Sequence, residues 1–496
     1  MITKGKEGKE RLLEGINETA DVVSTTMGAK GRTVMISDPY GLGFHVTKDG
    51  VSVANSVKLE NDLMSLGSEF IKTAALKTDS VAGDGTTGTT VLTRSMCNDI
   101  YSQIGLGRET NDIVLELFKN ADEVYEFIKS NSLKVDTVEH VKNIAKISSN
   151  NNEEIGDLFK EIYEEAGMSV EIEVVESDSH DTTYEIVKGF TMKDTGYSSS
   201  QFINNQEKGR IEFEDPIIYL YNGKVVKMSN DIIDIFKNNS DRNSEDFRPL
   251  VLIVEDIEEA ALREIVMAFG QQLIFNVAIV QSNLIHEDRK NSFIDASIFL
   301  DAEYTDDRIG NYGECEKVII EKNKVTFING KGDTSKHLNS LKKQKNKNIA
   351  TERRIFALES NAAVIKVGGK LPAEISEKKD RIDDANLSIK SALEEGYVPG
   401  AGSTFLFANR EHFGQVMKNA LHSCYKQLMT NGEKEPYFYL NDIYKKGFGY
   451  GFNLITNEVS DLYEDGICDS AKVLRVSIEN AVHTAATFAN INSIIH

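Results

Sequence analysis

A turn made of Gly83, Asp84 and Gly85 runs directly into a helix, and this junction constrains the fold more than any other part of the chain. The helix is predicted by apolar residues that recur every four positions, namely Leu92, Met96, Ile100 and Ile104. The first N–H groups of a helix have no partner within it, and the helix dipole makes that end positive. Such an end binds anions, most often phosphate, when glycines let the ligand approach the backbone.

The side chains around this turn point to a nucleotide and a metal ion. Asp84 offers hard oxygen ligands of the kind that Mg²⁺ prefers, and Thr86 and Thr87 add hydroxyl groups. No lysine follows the glycines at the P-loop spacing, which argues against a P-loop NTPase; Lys48 is the cation that would supply the missing charge. From the residues alone, a helix cap followed by threonines explains the stretch equally well.

The composition argues against several classes of protein. A chain of 496 residues is long enough for roughly two to four domains. Its formal net charge of −22 argues against nucleic-acid binding, because phosphate neutralisation needs a basic surface. The four cysteines form no CxxC pair, so neither a zinc site nor a disulfide framework is expected. The sequence shows no signal or transit leader and no apolar run long enough to span a bilayer.

Periodicity predicts helices towards both ends of the chain and an α/β region between them. Helices are predicted at 8–27, 58–80, 88–104, 110–130, 138–167, 255–269 and from about 374 onward. Strands are predicted at 33–36, 44–47, 169–176, 250–254, 277–280, 318–320, 325–328 and 363–367. The run 250–254 is wholly apolar, as expected of a strand buried on both faces. Residues 336–354 are basic but lack aromatic side chains, which favours a solvated helix over a nucleic-acid site.

Three motifs in order resemble the nucleotide-binding loops of chaperonins. The stretch from Val81 to Thr90 resembles the family's phosphate loop, and Thr26 to Arg32 (TMGAKGR) resembles its first nucleotide loop. Lys48 to Ala54 (KDGVSVA) matches the form seen in the group I (GroEL-type) branch and disfavours group II. The chain is similar to the group I plan over nearly its full length.

The resemblance implies an α+β multidomain fold in which one domain is inserted into another. A discontinuous all-α equatorial ATPase domain would take residues 1–130 and 395–496. A small intermediate hinge domain would take 131–187 and 363–394. An α/β apical domain that binds polypeptide would take 188–362. Along the chain, the predicted regions are helical, mixed, α/β, mixed and helical again, which agrees with this plan. Periodicity alone does not require that one domain is inserted into another.

The resemblance also implies a nucleotide site built from both chain ends. Its cofactors would be ATP and Mg²⁺, with K⁺ as a further candidate, and Asp84 would be the metal ligand. The implied nucleotide-binding positions are Thr26, Met27, Gly28, Ala29, Lys48, Gly83, Asp84, Gly85, Thr86, Thr87, Gly88, Ala401, Asn453, Leu454, Ile467 and Asp469. Asp49 and Asp384 are implied as the catalytic carboxylates that orient or deprotonate water, Asp384 being carried by a domain that closes onto the site.

Three positions depart from the family pattern. Ala401 stands where the family has glycine, Leu454 where it has alanine, and Gly88 where it has threonine. These departures favour an alternative, a ring scaffold with little or no ATPase activity that holds or assembles specific client proteins. The presence of the aspartates at 49, 84 and 384 favours an active ATPase instead. A small-molecule kinase ranks lower, because the middle of the chain shows no acceptor site.

Two segments of the α/β region, 232–236 and 255–269, are apolar over a wider arc than a docked helix requires. From the residues alone, burial under neighbouring elements is the favoured explanation. The resemblance implies instead that they bind unfolded polypeptide and then a co-chaperonin, because exposed apolar patches mark binding sites. The implied polypeptide-binding positions are Tyr197, Phe202, Ile232, Ile235, Leu262, Val266 and Met267.

We therefore expect an ATP-dependent protein-folding chaperone. Its expected partners are unfolded client proteins, a co-chaperonin of the GroES type and further copies of the chain in a seven-membered ring, single or double. Neither nucleic acid nor a membrane is an expected partner. The expected location is the cytoplasm, either of a bacterium or, for a viral protein, of its host.

Overall fold

The protein is described from a computed structural model, and its chain divides into two compact units. The structure describes residues 2–37, 44–168, 170–177, 179–206, 208–228, 230–237, 247–305, 308–344, 349–359 and 361–496. The first unit contains Met1–Glu164, Val174–Thr183 and Lys366–His496, and the second contains Glu165–Glu173 and Tyr184–Ile365. Both ends of the chain therefore fold within one unit. The proposed division into three domains stays a prediction.

The helices lie mainly in the first unit. Their bounds are α1 (Lys6–Ser24), α2 (Gly50–Ser56), α3 (Asp62–Ala82), α4 (Thr86–Gly105), α5 (Thr110–Asn131), α6 (Val138–Ser148), α7 (Glu153–Ala166), α8 (Asn230–Lys237), α9 (Glu259–Gly270), α10 (His286–Leu300), α11 (Ser335–Lys342), α12 (Ile349–Glu359), α13 (Pro372–Glu395), α14 (Ser403–Ala408), α15 (Gln415–Asn431), α16 (Pro436–Lys446) and α17 (Ala471–Asn490). Among the described residues, no helix is both long and apolar enough to cross a bilayer.

The strands concentrate in the second unit. Their bounds are β1 (Ile2–Lys4), β2 (Val34–Ser37), β3 (Phe44–Thr47), β4 (Glu171–Glu176), β5 (Thr183–Lys193), β6 (Thr195–Tyr197), β7 (Ile211–Glu214), β8 (Ile217–Val225), β9 (Leu250–Ile257), β10 (Val277–Ser282), β11 (Gly313–Ile320), β12 (Lys324–Gly330), β13 (Asn361–Val367), β14 (Tyr397–Pro399), β15 (Tyr450–Asn453), β16 (Glu458–Asp461), β17 (Cys468–Ser470) and β18 (Ser493–Ile495).

The first unit is a helical bundle in which α4 is central. Helix α4 packs against α1, α3, α15 and α17. The four-residue spacing after the glycine turn places Leu92, Met96 and Ile100 fully inside the core. Strands β1 and β18 pair antiparallel, with Ile2 opposite Ile495, so the two ends of the described chain lie side by side.

The second unit is built on one mixed sheet. The strand order is β4-β13-β5-β12-β11-β8-β9-β10-β6, and β7 pairs with β11. Strands β8, β9 and β10 run parallel. The run from Leu250 to Val254 in β9 is fully buried, which confirms the prediction made from its uninterrupted apolar sequence.

The structure differs from the predicted elements in several places. The helix predicted at 255–269 begins only at Glu259, because strand β9 continues to Ile257. The predicted helix 138–167 is two helices, because Asn150 and Asn151 adopt left-handed conformations (φ 60° and 63°) that end the helical path. Helix α2 follows Asp49, where only a turn is predicted. The C-terminal part also contains short strands, β14 to β18, that are too short to show a periodicity of two.

Candidate functional site

A cavity of about 260 Å³ in the first unit is lined by residues from both ends of the chain. From the N-terminal part come residues 26–29, 47–50 and 84–88, and from the C-terminal part come the start of α14, helix α15, and strands β15 and β17. Asp84 and Asp469, which are far apart in sequence, share this cavity. All of the predicted nucleotide and catalytic positions line it except Gly83, which lies immediately before the described lining.

The glycine turn has the conformation and the space that only glycine satisfies. Gly83 ends α3 with φ 72°, and Gly85 begins α4 with φ 93°, both in the left-handed region. A Cβ atom on Gly83 would lie 2.2 Å from the Cβ of Leu387 in α13, and one on Gly85 would lie 2.7 Å from Ser477 Oγ. The turn therefore holds the unpaired N–H groups at the start of α4 against the cavity.

Two of the predicted carboxylates are held by hydrogen bonds at helix starts. Asp49 caps α2 by accepting from the N–H groups of Val51 (3.1 Å) and Ser52 (2.6 Å). Asp84 accepts from the N–H of Gly85 and from the hydroxyl of Ser148 in α6 (2.7 Å). Burial raises the pKa of Asp84 and repulsion from Asp49 adds to this, although hydrogen bonds with Ser148, Gly85 and Ser388 act in the opposite direction.

Helix α13 already brings Asp384 into the cavity. Burial, followed by repulsion from Asp84 and Asp49, raises the pKa of Asp384 well above its usual range. The hydroxyl of Ser391, also in α13, donates to the carbonyl of Ala82 (2.8 Å) and ties this helix to the end of α3. The structure therefore shows α13 packed against the glycine turn.

The cavity carries an excess of negative charge. Its acidic lining residues are Asp49, Asp84, Glu377, Asp380, Asp384 and Asp469, and its described cationic lining residues are Lys48 and Arg381. Burial, with repulsion from Asp84, raises the pKa of Asp469 to about 7. Burial likewise raises the pKa of nearby Asp79 to about 6, with added repulsion from Asp49 and Asp84. Ionising these groups together requires a compensating cation.

The carboxylates of the cavity suit a Mg²⁺ ion that takes most of its ligands from water and phosphate and only one or two from the protein. Carboxylate oxygens are its preferred protein donors, and it is commonly held by one or two of them together with phosphates and water. Among the described residues, no group of three or more His, Cys, Asp or Glu side chains is arranged to hold a metal alone. Asp84 and its acidic neighbours therefore suit a metal that arrives with a phosphate ligand.

The cavity is also lined by large apolar and aromatic side chains. Its lining includes Tyr425, Leu428, Met429, Phe452, Leu454 and Ile455. The side chain of Asn453 is occupied within its own loop, since its amide donates to Asp465 (2.8 Å) and its oxygen accepts from the N–H of Ile455 (2.9 Å). Ala401 adopts a left-handed conformation (φ 51°), and a Cβ on Gly88 would meet nothing within 4 Å.

Several polar residues of the cavity are missed by sequence reasoning. They are Ser148, Asn150, Asn151, Arg381, Ser388, Ser470 and Ser477. Arg381 lies three residues before Asp384 and Ser388 lies four residues after it. Residues at these spacings share one face of a helix, so the position of Asp384 could have predicted both. The hydroxyl of Ser470 is buried and has no hydrogen-bond partner among the described residues. No local sequence signal marks this serine or those at 148 and 477.

The predicted polypeptide-binding residues of the second unit divide by exposure. Met267 is 60 % exposed, whereas Phe202 and Ile232 are only 2 % and 4 % exposed. The last two complete the core around the sheet, with Phe202 packed edge-on against Phe269, so their assignment to an exposed surface is corrected. The remaining predicted residues are partly buried against the core: Tyr197, Ile235, Leu262 and Val266. Ile233 and Leu273, which were not predicted, are also exposed.

Comparison with known proteins gives a consistent result for the whole chain. A sequence profile described as the TCP-1/cpn60 chaperonin family matches residues 19–496. Two crystal structures of the chaperonin gp146 from the bacteriophage EL 2 (Pseudomonas aeruginosa), both in the presence of ATP-BeFx, share its fold. They superpose with TM-scores of 0.68 and 0.66 at 20 % and 21 % sequence identity, and each match covers 100 % of this chain and 99 % of the other.

Proposed function

Because the chain belongs to the TCP-1/cpn60 chaperonin family, we propose that it is an ATP-dependent protein-folding chaperone. In this proposal, apolar residues of the second unit capture non-native polypeptide, and ATP binding and hydrolysis release it into the cavity of a ring. The observation that carries the ATPase proposal is the gathering of Asp49, Asp84 and Asp384 around one cavity beside the glycine turn. The ATP-BeFx in the two bacteriophage structures supports ATP as the ligand.

In this proposal, each group of cavity residues has a separate role in ATP hydrolysis. The N–H groups at the start of α4 bind phosphate oxygens. Asp84 would hold Mg²⁺, which neutralises phosphate charge when bound. Asp49 orients the attacking water, and Asp384 accepts its proton as the water oxygen bonds to the γ-phosphorus. The bond to the β–γ bridging oxygen breaks, and its electron pair leaves with ADP.

Substitution of Asp384 tests the ATPase half of the proposal. We expect Asp384→Ala to retain ATP binding and to lower turnover at least about tenfold, because it removes the proton acceptor. Asp383→Ala is the matched control, since Asp383 is the neighbouring carboxylate, pairs with Lys379 (3.5 Å) and is absent from the described cavity lining. Phosphate release and ATP binding are measured for both variants. Equal turnover in Asp384→Ala and the wild type would remove Asp384 from the mechanism.

Substitution on α9 tests the chaperone half. Met267→Ser is expected to weaken capture of a denatured client while leaving the ATPase rate unchanged, because its exposed side chain offers adaptable apolar contact. Leu262→Ser and Val266→Ser are expected to do the same but also to lower stability, since both side chains pack partly on the core. Leu115→Ser, on an exposed position of α5, is the control. Capture that is equal in all variants would contradict this surface.

We extend the proposal to assembly and partners. The chain would form a heptameric ring, single or double, with a co-chaperonin of the GroES type, Mg²⁺ and K⁺ as cations, and a cytoplasmic location. Native mass measurement with and without ATP tests the ring.

The alternative function is a scaffold that holds client proteins with little ATPase activity. Two features favour it: the side chain of Asn453 is already hydrogen-bonded to Asp465, and Leu454 adds bulk to the cavity lining. Client capture by a wild-type chain that hydrolyses no ATP would select the scaffold.

A further inference from the structure

Arg381 lines the nucleotide cavity and has one donor without a partner. Its terminal nitrogen donates to Glu377 Oε2 (2.7 Å), one helical turn earlier in α13. Its Nε atom is buried and has no hydrogen-bond partner among the described residues. A buried donor without an acceptor costs about 1–3 kcal/mol, so an acceptor supplied by a ligand would stabilise this arrangement.

The position of Arg381 on α13 aligns it with the proposed proton acceptor. Glu377, Arg381, Asp384 and Ser388 are spaced by four, three and four residues, and all four line the cavity. Side chains at these spacings lie on one face of a helix. The contact that ties α13 to the glycine turn, from Ser391 to the carbonyl of Ala82, therefore brings Arg381 and Asp384 to the site together.

The charge of the site makes an arginine at this position significant. Lys48 and Arg381 are the two cationic side chains in the described lining, against six acidic ones. A nucleoside triphosphate would bring further negative charge. A planar guanidinium can donate two parallel hydrogen bonds to phosphate oxygens, which an ammonium cannot match.

We propose that Arg381 contacts the terminal phosphate of the bound nucleoside triphosphate and stabilises the charge on its equatorial oxygens during hydrolysis. This inference rests on the proposed ATPase function. The water oxygen bonds to the γ-phosphorus, the water proton passes to Asp384, and the bond to the β–γ bridging oxygen breaks to give ADP and inorganic phosphate. Arg381 donates hydrogen bonds throughout and exchanges no proton. Helix α13 thus presents a proton acceptor and a positive charge to the same cavity.

The experiment compares Arg381→Gln, Arg381→Lys and the wild type. The control is Lys379→Gln, which removes a positive charge from the same helix at a residue that pairs with Asp383 and is absent from the described cavity lining. Three quantities are measured: turnover of ATP, affinity for ADP, and affinity for ADP with aluminium fluoride, which mimics the transferring phosphoryl group. Circular dichroism checks that each variant is folded.

Arg381→Gln is expected to lower turnover roughly a hundredfold and to weaken binding of ADP with aluminium fluoride by a similar factor. Its affinity for ADP alone should stay within about threefold of the wild type, because ADP lacks the phosphate that Arg381 contacts. Arg381→Lys should recover part of the loss, and Lys379→Gln should match the wild type. This split between ADP and the mimic separates a phosphate contact from a structural role.

Two results would overturn the inference. One is an Arg381→Gln variant with normal turnover and normal affinity for ADP with aluminium fluoride. The other is an equal loss of affinity for ADP and for the mimic, which would mean that Arg381 only maintains the cavity. A wild-type chain that binds the mimic but hydrolyses no ATP contradicts the proposed ATPase, while the binding measurements still decide the role of Arg381. A wild type that binds no nucleotide contradicts both.

Discussion

At the scale of single residues, the cavity holds carboxylates in an environment that opposes their ionisation. The pKa of Asp469 rises to about 7 because the side chain is buried and because Asp84 repels its charge. In the unfolded chain, where both causes are absent, Asp469 should titrate near the ordinary value of 3.8. The folded state therefore binds an extra proton between these two pKa values, and stability falls as the pH rises through that window.

We predict that Asp469→Asn stabilises the protein when nucleotide and Mg²⁺ are absent. The amide has a similar shape and cannot ionise, so the free energy lost on ionising Asp469 is recovered. The advantage over the wild type should grow from about pH 4 to about pH 7, reach a few kcal/mol, and stay level above that range. Urea unfolding at a series of pH values measures it. An advantage of constant size across that range would show that burial does not govern the titration of Asp469.

The residues of the site were predictable only in part. The glycine turn, Lys48 and Asp49 lie in short contiguous motifs, so their role could be proposed from sequence. Ser148 could not be found in this way, because its importance comes from a hydrogen bond to Asp84, a residue of a distant segment. The resemblance to the chaperonin family implies a polypeptide-binding role for Phe202, but the structure places this side chain in the core, because a matching apolar position does not reveal which side of a packed layer the residue faces.

At the scale of elements, α6 and α13 meet the glycine turn through hydroxyl groups. Ser148, the last residue of α6, donates to Asp84, and Ser391 of α13 donates to the carbonyl of Ala82. Long helices such as α4 and α13 were predictable because their apolar spacing repeats over several turns. Short elements such as α2 and β14 to β17 were not, because tertiary contacts rather than periodicity define them.

We predict that Ser148→Ala raises the Mg²⁺ concentration needed for half-maximal ATPase activity roughly tenfold, because Asp84 loses a hydrogen bond that orients its charged carboxylate. Ser149→Ala is the matched control, since Ser149 directly follows α6 and its buried hydroxyl donates to the carbonyl of Ala145 in that helix (2.7 Å). Both variants should lose about 1 kcal/mol of stability, but only the first should change the Mg²⁺ dependence. Ser148→Thr should restore it. Equal Mg²⁺ curves for the two alanine variants would contradict this role for Ser148.

At the scale of the whole molecule, each unit has its own hydrophobic core. The core of the second unit is formed by residues between Phe190 and Leu358, and its sheet contains strands from that part of the chain. A segment with its own core can in principle fold alone. The second unit also includes the short segment Glu165–Glu173, which is separated in sequence from the rest of the unit, Tyr184–Ile365. This short segment contributes Glu173, which is buried and accepts two hydrogen bonds from Arg210 (2.7 and 2.8 Å).

We predict that a fragment of residues 165–365 folds cooperatively and that Glu173→Gln destabilises this fragment by about 2 kcal/mol. Glu173 is the most buried carboxylate beside the largely buried cations Arg210 and Lys317, so its loss removes compensating charge from both. The remaining carboxylates limit the cost, because Glu212 still pairs with Arg210 (2.7 Å) and with Lys317 (3.5 Å). The matched control is Glu214→Gln, because Glu214 pairs with the same Lys317 (3.1 Å) but is 72 % exposed, so its loss should change stability by less than about 1 kcal/mol. Urea unfolding of the three fragments compares them. If the two substitutions lower the free energy of unfolding equally, the burial of Glu173 does not make its ion pairs contribute more to stability than the exposed pair of Glu214.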